Sequence, residues 1–140
     1  MWKEQNDFEL NVFFSPTEMS PYINSNERYT YANLERIFEH TDVLVAPSIW
    51  YETFGYTVLE ALSFGVPVIV SGNVGSKDII PDGAGIVVED ISIDKLYAAI
   101  RGLTPDRLVR MNQIINEKFD VLVMEIMSRQ IHKLCYEERK

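Results

Sequence analysis

An α/β fold with a parallel sheet is predicted by three features in the middle of this sequence. Residues 43–45 and 66–70 are short apolar runs without the polar alternation of a half-exposed strand. Between them, residues 56–64 follow a helical pattern that ends at Gly65, with Pro67 just beyond. Two buried strands joined through a helix form a βαβ crossover, in which the strands are parallel. We therefore expect a single Rossmann-like parallel sheet flanked by helices.

The other elements are predicted from local patterning and from capping residues. Residues 8–14 alternate as a strand, 15–28 form a turn-rich loop with at most a brief extended piece near Tyr22 and Ile23, and 33–40 form a helix. A glycine-rich loop over 71–76, a turn over 82–85 and a strand over 86–88 follow. Ser92 caps a helix that ends near Arg101 at Gly102, and Thr104 and Pro105 open another that runs to near Glu117. A last helix is expected over 120–138.

Length, composition and charge limit the class of protein. The 140 residues suffice for one domain, and no uncharged apolar run is long enough to span a bilayer. Residues 1–7 are polar, so we expect no signal peptide, and the single cysteine, Cys135, fits a reducing compartment. The net charge of −8 disfavours nucleic acid as a partner. We expect a cytoplasmic protein whose parent could also lie at the inner face of the membrane.

The loop 48–55 and the helix after it carry the residues most suited to ligand binding. Glu52 lies in the loop and Glu60 one turn into the helix, while Gly55 lets backbone approach a ligand closely. The first N–H groups of the helix, from Tyr56 and Thr57 onward, form an anion site. A nucleotide sugar, with phosphates between two groups of hydroxyls, fits this arrangement.

This segment resembles the E-x7-E signature of retaining GT-B glycosyltransferases of family 4, the glycosyl transferases group 1. The matching residues are Pro47-Ser48, Glu52-Thr53-Phe54-Gly55-Tyr56-Thr57-Val58-Leu59-Glu60-Ala61-Leu62 and Gly65-Val66-Pro67-Val68-Ile69. A weaker similarity runs from about Leu34 to Ala99, although Asp78 stands where Glu is usual and Gly75-Ser76 replaces a paired glycine. The resemblance implies that the chain is most of a GT-B carboxy-terminal, donor-binding domain.

The resemblance also implies roles for the matched residues. Glu52 would contact the hydroxyls of the transferred sugar and stabilise an oxocarbenium-like transition state. The backbone of Phe54, Gly55, Tyr56 and Thr57 would hold sugar and phosphate, and Glu60 would hold the ribose hydroxyls. The mechanism usually proposed for such enzymes is front-face substitution, in which the leaving phosphate and the acceptor share one face. From the residues alone, Glu52 could also be an exposed loop residue and Glu60 a solvated helix residue.

Neither a metal nor a cofactor is expected. The sequence has no Asp-x-Asp, and His40 and His132 lack the spaced partners that a metal site needs. The nucleotide sugar would be a substrate. Trp50, Tyr51 and Tyr56 could stack on a sugar, but packing within the loop is the favoured interpretation, and Arg28 and Tyr29 match the base-contacting region of the family only loosely.

Cations for a pyrophosphate are missing around the loop, since no Lys or Arg lies between Thr41 and Ser76. In the resembling family a first βα unit supplies a Gly-Arg…Lys pair, and residues 1–7 contain nothing comparable. Residues 1–140 are therefore predicted to be a nucleotide-sugar-binding fragment that lacks its first βα unit and the amino-terminal acceptor domain. The apolar stripe on the predicted last helix would then lack its partner and could drive self-association.

The sequence thus predicts transfer of a hexose, with retention, from a nucleotide diphosphate to an acceptor hydroxyl on a carbohydrate or glycolipid. The setting would be polysaccharide biosynthesis, and the isolated chain would have little activity. The alternatives are a non-catalytic nucleotide-sugar-binding module of the same fold and a structural α/β interaction domain. Nucleotide binding and an acceptor screen would separate the three.

Overall fold

The computed structural model describes residues 8–13, 23–26 and 28–120. The chain divides into two compact units, Met1–Ile37 and Phe38–Lys140. In the first unit, strand β1 (Leu10–Val12) pairs in parallel with β2 (Ile23–Ser25), so that Leu10 lies opposite Ile23. Helix α1 (Leu34–Glu39) falls within the predicted range.

The second unit contains a three-stranded parallel sheet with strand order β3-β4-β5. Its elements are β3 (Leu44–Ala46), α2 (Tyr56–Ser63), β4 (Val68–Ser71), β5 (Gly85–Val88), α3 (Ile93–Arg101) and α4 (Pro105–Lys118). Leu44 pairs with Val68, and Val68 pairs with Gly85, so the carboxyl ends of the three strands share one edge. The α/β class and the central βαβ unit are confirmed.

Strand β4 is the centre of the core, because all four of its residues are buried. Helix α2 lies against β3 and β4 and buries Val58, Ala61 and Leu62. Each buried Val or Leu side chain contributes roughly 1.5–3 kcal/mol relative to an exposed one. Residues 66–70 lack polar alternation because β4, which they include in large part, is buried on both of its faces.

The predicted helix ends are confirmed by their hydrogen bonds. Ser92 Oγ accepts from the Lys95 N–H at 3.3 Å, and Thr104 Oγ1 accepts from the Arg107 N–H at 3.2 Å. Gly65 follows the C-cap residue of α2 and has φ of 74°, a left-handed conformation that favours glycine. Such caps stabilise a helix by about 1 kcal/mol each.

Two features differ from the prediction. Among the described residues the strands form two parallel sheets, β1-β2 and β3-β4-β5, where a single sheet was expected. Hydrophobic pattern identifies strands but does not say which strands pair. A 3-10 turn over Gly75–Ile79 follows the glycine-rich loop, where no helical turn was predicted. The helix expected over 120–138, with its apolar stripe, lies almost entirely outside the described residues.

Candidate active site at the start of helix α2

The loop between β3 and α2 is anchored at its beginning to the end of β4. Ser71 is fully buried, and its hydroxyl donates to the Ser48 carbonyl at 2.6 Å. The Asn73 side-chain amide donates to the Ile49 carbonyl at 3.2 Å. Within the loop, Ser48 Oγ donates to the Trp50 carbonyl at 3.0 Å. Ser48 and Ile49 are therefore held by side chains at and just after the end of β4.

Glu52 is held by backbone hydrogen bonds on both sides. Its N–H donates to the Asn73 carbonyl at 3.0 Å, and its own carbonyl accepts from the Gly75 N–H at 3.0 Å. This pairing is an isolated parallel bridge between Glu52 and Val74. The next contact is between the Ser76 N–H and the Phe54 carbonyl, at 2.7 Å. The Glu52 backbone is thus fixed although its side chain is exposed.

Glycine is required at position 75 by this pairing. A Cβ atom there would lie 2.2 Å from the Thr53 carbonyl oxygen. Because that oxygen belongs to the backbone, it cannot move aside without displacing the loop. The glycine retained from the family's usual pair thus has a direct packing role.

Gly55 places the Glu52 carboxylate at the beginning of α2. Gly55 is the N-cap residue, with φ of 79°, in the left-handed region that favours glycine. A Cβ atom on Gly55 would lie 2.9 Å from Val74 Cγ1, 3.1 Å from Ser76 Oγ and 3.2 Å from Glu52 Oε2. These three side chains therefore converge on the residue that starts the helix.

Ser76 is unusual in this group because its hydroxyl is fully buried and has no hydrogen-bond partner among the described residues. Buried polar groups in proteins are nearly always paired, since an unpaired one costs about 1–3 kcal/mol. The unpaired hydroxyl and the Glu52 carboxylate both lie around Gly55, at 3.1 and 3.2 Å from the position that a Cβ atom would take there. In the sequence Ser76 is marked only by its departure from a paired glycine, and no local pattern indicates that its hydroxyl is buried.

The other predicted site residues lie on α2 or directly before it. Phe54 and Tyr56 contact each other edge to face, with ring centroids 5.2 Å apart, and the Tyr56 side chain is 73% exposed. Thr57 lies in the first turn. Glu60 is partly buried and lies on the helix face opposite Val58 and Leu62, about 7.5 Å along the axis from Gly55. The structure thus gathers Glu52, Phe54, Gly55 and Tyr56, with Glu60 one turn further along.

A metal ion has no candidate ligand group here. Within residues 8–13, 23–26 and 28–120, no three His, Cys, Asp or Glu side chains are grouped closely enough to hold one. In the same part of the chain, no helix has the length and hydropathy needed to cross a membrane.

A parallel α/β unit with Glu52 in the loop after one strand agrees with the GT-B glycosyltransferase class that the sequence motif resembles. Comparison with known proteins supports this class, since the family model for glycosyl transferases group 1 matches residues 26–119. The chain therefore belongs to the glycosyl transferases group 1 family, as the sequence motif predicted.

Three similar proteins illustrate the relationship. An uncharacterized glycosyltransferase of Methanocaldococcus jannaschii is 35% identical over 89 residues, which cover 63% of this chain and 23% of that protein. Spore coat protein SA of Bacillus subtilis is 31% identical over 67 residues, covering 47% of this chain and 18% of that protein. The structure of sucrose-phosphate synthase from Thermosynechococcus elongatus superposes with a TM-score of 0.65 at 21% identity, over 84% of this chain and 31% of that chain. The chain thus matches about a fifth of the length of the two curated relatives, and the structural likeness concerns the fold alone.

Proposed function

We propose that this chain is the donor-binding domain of a retaining glycosyltransferase. The intact enzyme would transfer a hexose from a nucleotide diphosphate to an acceptor hydroxyl on a carbohydrate or glycolipid. The observation that carries the proposal is the position of Glu52, whose backbone is held by the bridge to Val74 and whose carboxylate lies beside Gly55 at the start of α2.

Each part of this geometry suits one part of a nucleotide sugar. The Glu52 carboxylate is exposed and can accept hydrogen bonds from sugar hydroxyls. As the anomeric carbon becomes positive, a carboxylate held in place stabilises it without reorganisation. The backbone N–H groups at the start of α2 lie at the positive end of the helix dipole, which favours a phosphate there. Glycine at position 55 leaves room beside them for Glu52, Val74 and Ser76.

Glu60 suits the ribose at the other end of the ligand. It lies one turn into α2, about 7.5 Å along the axis from Gly55, so a phosphate near the helix start can separate two groups of hydroxyls. Ser76 adds a hydroxyl near Gly55 that has no hydrogen-bond partner among the described residues.

The cations that neutralise the phosphates of the donor must come from outside residues 41–76. No Lys or Arg lies between Thr41 and Ser76, and the Lys77 ammonium donates to the Gly72 carbonyl at 2.7 Å. In this proposal a first βα unit supplies the cations, and an amino-terminal domain binds the acceptor. The reaction would be a front-face substitution, with Glu52 stabilising charge rather than acting as nucleophile.

Binding and transfer assays test this function. Calorimetry with UDP-glucose, GDP-mannose and ADP-glucose should identify one base that binds the intact protein, and an acceptor screen should then show transfer with retention. Binding without transfer to any acceptor would indicate a non-catalytic nucleotide-sugar module. Absence of binding by all three would overturn the proposal and favour a structural interaction domain.

A further inference from the structure

A second cleft lies at the same edge of the sheet as Glu52. It is a cavity of about 580 Å³ at the carboxyl ends of β4 and β5, walled by Ile49 and Tyr51, by Gly72 and Asn73, by Lys77, and by the segment 89–91. The crevice outside the carboxyl ends of parallel strands is where ligands of such sheets bind. None of the residues that line this cleft belongs to the proposed sugar-donor site, so the cleft is distinct from that site.

The charged groups of the cleft favour a neutral ligand. The Lys77 ammonium donates to the Gly72 carbonyl and lies 4.0 Å from the Glu89 carboxylate. Asp90 is likewise paired with Lys95 at 3.9 Å. Lys77, Glu89 and Asp90 line the cleft, while Lys95 lies outside the lining and pairs with Asp90. Each carboxylate of the cleft thus faces one cation, and this pairing leaves little charge to attract a phosphate or a metal ion. Such a mixture of donors and acceptors matches hydroxyl groups, which both donate and accept hydrogen bonds.

An apolar face completes the cleft. Tyr51 is 91% exposed and Ile49 is 70% exposed, and both line the cavity. The Asn73 amide donates to the Ile49 carbonyl and so fixes the wall that carries them. An aromatic ring with a polar tip can pack on the C–H face of a sugar ring while its hydroxyl stays hydrated.

The opposite wall is closely fitted rather than loose. A Cβ atom on Gly72 would lie 2.1 Å from Glu89 Oε2, so the Glu89 carboxylate rests on the Gly72 backbone. The Gly72 N–H donates to the Val88 carbonyl at 3.0 Å, and this ties the two strand ends together. Asp90 has φ of 23°, a conformation that residues with a side chain rarely adopt. Backbone strain of this kind concentrates at ligand-binding segments.

We propose that this cleft is a second ligand site, which binds a neutral saccharide chain. It would hold part of the acceptor, on this chain rather than only on the amino-terminal domain; that assignment rests on the proposed transferase function. The saccharide class follows from the cleft itself. Tyr51 lines the cleft, whereas the neighbouring Glu52 carboxylate lies beside Gly55, as expected for successive residues of an extended segment.

Titration followed by amide NMR tests the site without any transfer reaction. The probes are maltotetraose, cellotetraose and mannotetraose, with inorganic phosphate as an anionic comparison. At least one tetrasaccharide should shift the amides of Gly72, Asn73, Lys77, Glu89 and Asp90, and phosphate should leave them unchanged. Tyr51→Ala and Glu89→Gln should each weaken that binding by at least about fivefold. Tyr31→Ala removes an equally exposed tyrosine that does not line the cleft and should bind as the wild type does.

Three results would overturn the site: no shift with any tetrasaccharide, shifts that map to other residues, or affinity unaffected by both variants. Shifts of the cleft amides by phosphate would indicate an anion site instead. The acceptor role is measured separately in the intact enzyme, where Tyr51→Ala should raise KM for the acceptor and leave KM for the nucleotide sugar unchanged. If no nucleotide sugar binds while a tetrasaccharide still does, the transferase proposal fails and the saccharide site stands.

Discussion

The carboxylate of Glu52 lies 3.2 Å from the point where a side chain on Gly55 would begin. The two residues are three positions apart in sequence, yet their approach depends on the bridge between Glu52 and Val74, which lies more than twenty positions further along the chain. Glycine at position 55 thus lets Glu52, Val74 and Ser76 pack against the start of α2, because their atoms fill the space that a side chain would take.

Replacing Gly55 with alanine should destabilise the protein and weaken binding of the nucleotide sugar. The left-handed φ costs about 1–2 kcal/mol for a residue with a Cβ, and the new atom would lie 2.9 Å from Val74 Cγ1. Urea unfolding of Gly55→Ala measures the loss. Gly102→Ala is the matched control, because Gly102 has φ of −77° and its nearest neighbour would be 3.3 Å away. Equal losses in both variants would contradict the argument.

Glu52 and Glu60 should affect turnover in different ways. Removing one preorganised charge that stabilises a transition state costs about 10²–10³ in kcat, so Glu52→Gln should lower kcat by that order. Glu60→Gln should chiefly raise KM for the nucleotide sugar, since ribose contacts are present in both ground and transition state. Steady-state kinetics of the intact enzyme separate the two effects.

Asp94→Asn serves as the control for the acidic variants, since Asp94 is an exposed acid at the start of α3, outside the site. Its kinetics should equal those of the wild type. Wild-type turnover in both glutamate variants would rule out the proposed roles.

Two buried serines should respond differently to alanine. Ser71 donates a hydrogen bond to the Ser48 carbonyl, so Ser71→Ala should lower the free energy of unfolding by about 0.5–1.5 kcal/mol. Ser76 has no partner among the described residues, so Ser76→Ala should leave that free energy unchanged or raise it. Chemical denaturation of the pair, at one protein concentration, measures the difference. A larger loss in Ser76→Ala than in Ser71→Ala would show that the Ser76 hydroxyl is paired in solution.

The contact between α4 and the end of α2 should also be measurable. Asn112 Nδ2 donates to the Gly65 carbonyl at 2.7 Å, in a partly buried position. Asn112→Ala should therefore lower the free energy of unfolding by about 1 kcal/mol. Gln113→Ala, at an exposed position on the same helix, should change it by no more than about 0.5 kcal/mol. If the two variants unfold alike, the hydrogen bond does not contribute to stability.

The elements of the second unit were predictable because their signals are local. Strand β4 begins in an uninterrupted apolar run, directly after Pro67, and helix α2 ends at Ser63, two residues before Gly65. Ser92 and Thr104 mark helix starts by their own hydrogen bonds to residues three positions away. The positions at which these helices and strands begin and end can therefore be predicted from the spacing of residues along the chain.

The sequence by itself determined the α/β class, the order of the helices and strands, and the protein family, whose motif includes Glu52 and Glu60. The tertiary structure alone decided that the described strands form two sheets, that Val74 and Ser76 meet Gly55, and that Tyr51, Lys77 and Glu89 share a cleft. The physical reason is the range of the interactions. Caps and hydrophobic periods act within a few residues, whereas these contacts join segments some twenty to forty positions apart through strand pairing and backbone hydrogen bonds.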